Sequence, residues 1–88
     1  MILNVNADAL RAYLESDSDC EAIGTDEYVA DFYDIEKPVT MNITFTKKGV
    51  DAEAAAYLLY DSEQDGWYMG EQIDDAAALE ALLNSIIA

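Results

Sequence analysis

Histidine is absent from this 88-residue chain, and bases are scarce: four Lys and Arg stand against 19 Asp and Glu. Without histidine there is no Ser-His or Cys-His nucleophile pair, no histidine general base and no His-ligated zinc. With so few bases there is no cationic footprint to neutralise phosphates, so direct binding of nucleic acid is excluded. An anionic membrane surface is repulsive for the same reason. The lone cysteine, Cys20, permits no intrachain disulfide and fits a reducing compartment. Acids near it raise its thiol pKa and argue against a reactive role. One proline and four glycines supply no linker and no Gly-rich phosphate loop. No apolar run approaches the roughly 20 residues of a membrane span, and the first residues lack the basic end and long apolar run of a secretory signal. The expectation is a cytoplasmic protein.

What is present is apolar residue and acid. Hydrophobic residues make up 52% and aromatics 10%, enough for a packed core despite a net charge of -15. Residues 1–88 are expected to form a single acidic domain. The charge is segregated: Glu15 to Glu36 holds nine acids and no base, Lys37 to Val50 three lysines and no acid, and Asp51 to Glu80 nine acids and no base.

Hydropathy patterning predicts the elements. Asn6 is a helix N-cap, with Val5 placed to staple onto Leu10 and Asp8 in the first turn. Ala7, Leu10 and Leu14 form the apolar stripe of a helix over 7–16. Residues 17–24 read as a connection. Thr25 caps a second helix, with Tyr28, Val29, Phe32 and Tyr33 on one arc and Glu27, Asp31 and Asp34 on the other; Pro38 stops it before Lys37. Val39 to Thr46 alternates as a half-buried strand, Lys47-Lys48-Gly49 turns the chain, and Gly49 is free to take positive φ. Residues 51–60 carry two signals: Asp51 to Ala56 suits a helix by propensity, whereas Tyr57-Leu58-Leu59-Tyr60 suits a strand. The strand is taken, because it pairs with both neighbours and covers their edges. A turn at Ser62 to Gly66 leads to Trp67-Tyr68-Met69, and Asp74 or Asp75 caps a last helix striped by Leu79, Leu82, Leu83, Ile86 and Ile87. The predicted fold is α+β, a three-stranded antiparallel sheet with helices packed on one face, in the order α-α-β-β-β-α.

No motif points to catalysis, a cofactor or a metal. Asp61-x-Glu63-x-Asp65-Gly66, with Gln72 at the twelfth place, resembles a calcium loop of the EF-hand family. It lacks the bidentate carboxylate at position 12 and carries Tyr68 in place of the aliphatic residue at position 8, so an acidic hairpin turn is the preferred reading. Asp17, Asp19 and Glu21 fit that motif less well, with Ala22 at the glycine place. Among 19 acids some pair always lies at a distance suited to acid–base work, so paired carboxylates carry no specificity. The expectation is a non-enzyme without metal or cofactor. Tyr57, Tyr60, Trp67 and Tyr68 on neighbouring strands serve either cross-strand packing or a protein interface.

The charge exceeds the roughly 2–8 that solubility of a small domain requires. Glu27, Asp31 and Asp34 on one helix ridge would lie about 5–6 Å apart, on the order of a phosphate repeat, and uncompensated like charges there oppose helix formation. A high-salt habitat is an alternative cause of the acidity. In size, in its acid-only stretches and in its compact α+β pattern, the chain resembles the small acidic nucleic-acid-mimicking inhibitors of phages and mobile elements, of the anti-CRISPR and anti-restriction type. That resemblance implies an inhibitor that binds the basic groove of a nucleic-acid-binding protein, by electrostatic and steric competition. The expected contact residues are Asp17, Asp19, Glu21, Asp26, Glu27, Asp31, Asp34 and Glu36, followed by Asp61, Glu63 and Asp65 at the hairpin turn. The alternative is an acidic interaction or adaptor module that uses the aromatic hairpin without mimicry. Either is expected to be a monomer or a homodimer, and the apolar last helix, ending in Ile86 and Ile87, could support a dimer.

Self-repulsion at -15 opposes compaction. The thermal midpoint is therefore expected to rise with sodium chloride between 10 and 500 mM, by about 4–8 °C for each kcal/mol of repulsion screened. Calorimetry at both salts checks it, and a flat response would show that the acids do not strain the fold.

Overall fold

A computed structural model describes residues 1–88. Asn6 starts the first helix, α1 (Ala7–Ser16), its side chain accepting from the Ala9 N–H at 3.0 Å. This satisfies one of the orphan donors of the first turn. Leu10 and Leu14, one turn apart, are the buried residues of α1. Asp75 caps the second helix, α2 (Ala76–Ile87), in the same way through the Ala77 N–H. Its stripe turns inward: Leu79 and Leu83 are buried, and Leu82, Ile86 and Ile87 pack at the margin of the core.

The strands are β1 (Ile2–Leu3), β2 (Cys20–Ala22), β3 (Glu27–Phe32), β4 (Val39–Thr46), β5 (Gly49–Asp61) and β6 (Gly66–Gln72). They form one antiparallel sheet in the order β1-β5-β4-β3-β2, with β6 also pairing β5. The architecture is thus α+β with two helices and six strands, in the order β-α-β-β-β-β-β-α. It corrects the expected three strands and the order α-α-β-β-β-α.

The largest correction falls on residues 25–36, where the expected second helix is replaced by β3 and its flanking loops. Tyr28 and Phe32 are four apart, as are Val29 and Tyr33. An interval of four suits one face of a helix and one face of a strand equally well. Ala30 separates the two readings. In the strand it joins Tyr28 and Phe32 on the buried side, while Glu27, Val29 and Asp31 take the other. Aromatic and β-branched side chains here also favour a pleated surface, and β3 pairs with β4 over its full length, from Glu27 opposite Thr44 to Phe32 opposite Val39. The expected connection at 17–24 likewise contains a short strand, β2, laid on the edge of β3.

The alternation of β4 holds as expected, with Val39, Met41 and Ile43 fully buried. Gly49 closes the Lys47-Lys48 turn at φ 136°, in the positive range that a side chain disfavours. β5 explains its own ambiguity. Met41 faces two residues, Ala54 and Ala55, in place of one, and Ala54 has φ 50°. This bulge resets the alternation: Val50 and Ala52 face the helices before it, and Ala55 and Tyr57 after it. A second irregularity sets Tyr57 against Gly70 and Glu71. A Cβ on Gly70 would lie 2.9 Å from Cδ1 of the exposed Leu59 and 3.2 Å from the Tyr57 carbonyl oxygen, so a larger residue there would have to displace the Leu59 side chain.

Both helices cover the same face, where Leu10, Leu14, Leu79 and Leu83 join one cluster with Tyr28, Met41, Ile43 and Val50. The other face is bare of helices, and Ala56 and Leu58 are its buried members. Cross-strand rows run over it: Glu27–Thr44–Asp51, Glu21–Val29–Asn42–Glu53 and Asp31–Thr40–Ala56–Gln72. No helix is long and apolar enough to cross a membrane.

The strand assignment of β3 makes a sharp prediction. Val29→Lys places its charge on the bare face and is expected to cost no more than about 1 kcal/mol. Ala30→Lys buries an unpaired charge and is expected to unfold the domain, whose total stability is on the order of 5 kcal/mol. Urea denaturation followed by circular dichroism reads both, and the reverse order of effects would restore the helix.

Candidate functional site

All 16 buried residues are apolar, so every carboxylate reaches solvent. Two ion pairs form: Arg11 with Asp26 at 2.8 Å, and the Met1 amino group with Asp51. The other 17 Asp and Glu side chains have no cationic partner. Arg11 is spent internally. Besides Asp26 it lies 4.2 Å from the ring centroid of Phe45 and 6.0 Å from that of Tyr28, which ties α1 to the sheet.

The expected contact residues divide into groups. Asp17, Asp19 and Asp34 line a hollow of about 280 Å³ with Tyr13, Phe32, Tyr33, Ile35, Ser85 and Ile86. The turn after α1 creates this cluster: Asp17 is the C-cap residue, and its side chain accepts the Asp19 N–H at 2.9 Å. β3 brings Asp31 alongside, since its N–H donates to the Asp19 carbonyl at 3.3 Å and its carboxylate accepts from the Thr40 hydroxyl. Glu21 and Glu27 lie on the bare sheet face with Asp51 and Glu53, which the sequence reading omitted. Strand alternation was the signal that could have found them. Asp26 is held by Arg11 and leaves the free acidic surface. Glu36 is exposed in the loop before β4. The expected helix ridge of Glu27, Asp31 and Asp34 does not form: Glu27 and Asp31 share a strand face, and Asp34 lies beyond the strand in the loop.

Asp61, Glu63 and Asp65 form a third group. Asp61 Oδ1 accepts the Glu63 N–H at 2.9 Å, and the Tyr60 hydroxyl donates to Asp65, which has φ 51°. The segment is a hairpin turn between two strands, not a calcium loop between helices. No group of three or more Asp, Glu or Cys side chains is gathered closely enough to hold a metal ion.

An aromatic row joins the first and third groups. Trp67 lies between Tyr33 and Tyr60, each ring centroid 5.3 Å from its own, at tilts of 52° and 58°. Such offsets suit the ring quadrupoles. Tyr33 was expected in a core arc; instead it bridges the acidic end of the sheet and the hairpin.

The density of charge at that end bears on the ionisable groups beside it. Burial first, then the charges of Asp17, Asp31 and Asp19, push the Cys20 thiol up to about 11. Burial and the charges of Asp31 and Asp19 raise Tyr33, and burial with the neighbouring Asp17 carboxylate raises Tyr13. Cys20 is therefore inert near neutrality and reports on its neighbours. At pH 8 iodoacetamide is expected to alkylate it on the order of 100-fold more slowly than a free cysteine, since only the thiolate reacts. The Asp17→Asn/Asp19→Asn/Asp31→Asn variant is expected to lower its pKa and speed the reaction. A pH–rate profile unmoved by that variant would disperse the proposed cluster.

No protein-family model, curated protein or solved structure matches the chain, so any functional reading stands on the acidic end, the aromatic row and the bare sheet face.

Proposed function

We propose that the protein is an acidic inhibitor that occupies the basic nucleic-acid-binding surface of a target protein in the cytoplasm. The observation that carries this reading is the convergence of Asp17, Asp19, Asp31 and Asp34 around Tyr13 and Tyr33 with no base among them. A fold selected for stability alone would intersperse lysines, because uncompensated like charges oppose the compact state. Carboxylates without partners cost little when exposed and gain most when a Lys- or Arg-lined groove meets them. The bare face extends the surface: Glu21 and Glu53 flank Val29 and Asn42 in one row, and Glu27 stands beside Thr44 in the next, where Asp51 is held by the Met1 amino group. Strands lie about 4.8 Å apart, so Glu21 and Glu53, three strand spacings apart, stand roughly 14 Å from each other. Long-range attraction steers approach, and the acids exclude nucleic acid from the same groove by charge and by bulk.

Competition with nucleic acid is the property that distinguishes this reading from general stickiness toward cations. The immobilised full chain is expected to retain basic proteins from a cell extract at 50 mM salt and release them when duplex DNA or RNA is added. The Asp19→Lys/Asp31→Lys/Asp34→Lys variant is expected to lose at least tenfold in retention with unchanged circular dichroism. Retained proteins that nucleic acid fails to displace would overturn mimicry.

A further inference from the structure

The β5–β6 hairpin is exposed where an interior is normally apolar. Five of the eight large hydrophobic residues that stand exposed lie on it: Leu59, Tyr60, Trp67, Tyr68 and Met69, each 46–59% accessible. β4 stops opposite Tyr57, so the hairpin beyond that point is flanked by no other strand. The Leu58 N–H donates to the Pro38 carbonyl at 2.8 Å and therefore points away from β6. In an antiparallel pair this makes Leu58–Met69 a non-hydrogen-bonded pair, and Tyr60–Trp67, two residues on, another. The backbone N–H and C=O groups of Trp67 and Met69 consequently face outward from an edge that has no partner.

Such an edge is a template for another strand. Its surroundings select which. Asp61, Glu63 and Asp65 crowd the turn, Glu71 follows Gly70, and no Lys or Arg occurs from Asp51 to Glu80. A second copy is a poor occupant: two β6 edges paired about a twofold at Tyr68 would set Asp65 of each copy opposite Glu71 of the other. Like charges directly opposed destabilise a sheet.

We propose that β6 is the docking edge for an extended basic segment of the target, which pairs with Trp67 and Met69 as an added strand and lays its cationic side chains on the aromatic row beneath the acidic turn. This rests on the reading that the target is basic, and deepens it by naming the mode of attachment. Main-chain hydrogen bonds supply affinity, Trp67 and Tyr60 supply cation–π faces, and the acids choose the sign of the partner.

Trp67 is the only tryptophan, so its emission reports on this edge alone. The full chain is titrated with an eight-residue synthetic peptide of alternating Lys and Val. Two controls are a Glu–Val counterpart and a Lys–Val peptide with two central residues replaced by Pro. A saturable emission shift with Lys–Val is expected, none with Glu–Val, and at least tenfold weaker binding with the Pro peptide. Hydrogen exchange at the Trp67 and Met69 amides is expected to slow when Lys–Val binds. Met69→Pro removes an outward N–H that no ladder bond uses, so it is expected to keep the circular dichroism and lose at least tenfold in affinity. Equal binding of the Pro peptide, or unslowed exchange at both amides, would overturn strand addition even if Met69→Pro fails to fold. An emission shift that grows with protein concentration in the absence of peptide would assign the edge to a second copy and overturn the proposal as well. If basic proteins are still captured and displaced by nucleic acid in those cases, the inhibitor reading survives without this edge.

Discussion

An ionised carboxylate cannot be buried without a partner, and this chain has four bases for 19 acids. The penalty for each such burial is several kcal/mol, comparable with the stability of the whole domain. Every element must therefore sort its residues cleanly between a dry side and a wet side. The outcome is a core with no polar or charged member. A sheet covered by helices on one face only meets the requirement, because each strand can send alternate side chains to opposite fates. Two short amphipathic helices suffice as the cover. The uncovered face and the loops then carry the surplus charge.

That sorting also governed what could be read in advance. The 7–16 helix, with its Asn6 cap, and the 39–46 strand fall where patterning put them, because their periods are unmixed. The hairpin at 62–66 and the last helix are legible for the same reason. β3 was misread because residues four apart satisfy both periods, and the decisive residue, Ala30, is too small to weigh heavily in an apolar count. β2 is three residues long and has no pattern to detect. β5 was ambiguous because the bulge at Ala54 breaks the alternation halfway along. Of the candidate site, the acidic stretch around Asp17, Asp19, Asp31 and Asp34 was named from composition, but its grouping depends on the β2–β3 pairing. Asp51 and Glu53 were missed because their face depended on the register of β5.

The two surfaces of interest meet at Tyr33. It sits beside the acids of the first loop and against Trp67 of the hairpin, so the acidic end and the apolar edge form one continuous tract. Charge and apolar area have complementary duties in recognition. Charge acts at range and sets the rate and sign of encounter, whereas desolvated aromatic area and main-chain pairing act at contact and set residence time.

The 17 carboxylates without a cationic partner also have a consequence in the solvent. They hold a diffuse atmosphere of mobile cations around the molecule, as a phosphate backbone does. When a fixed array of lysines and arginines replaces that atmosphere, the small ions return to bulk solution, and their gain in mixing entropy becomes part of the driving force. The association proposed above would on this ground depend on the ionic composition of the medium, and a change of salt would tune it without altering a single contact.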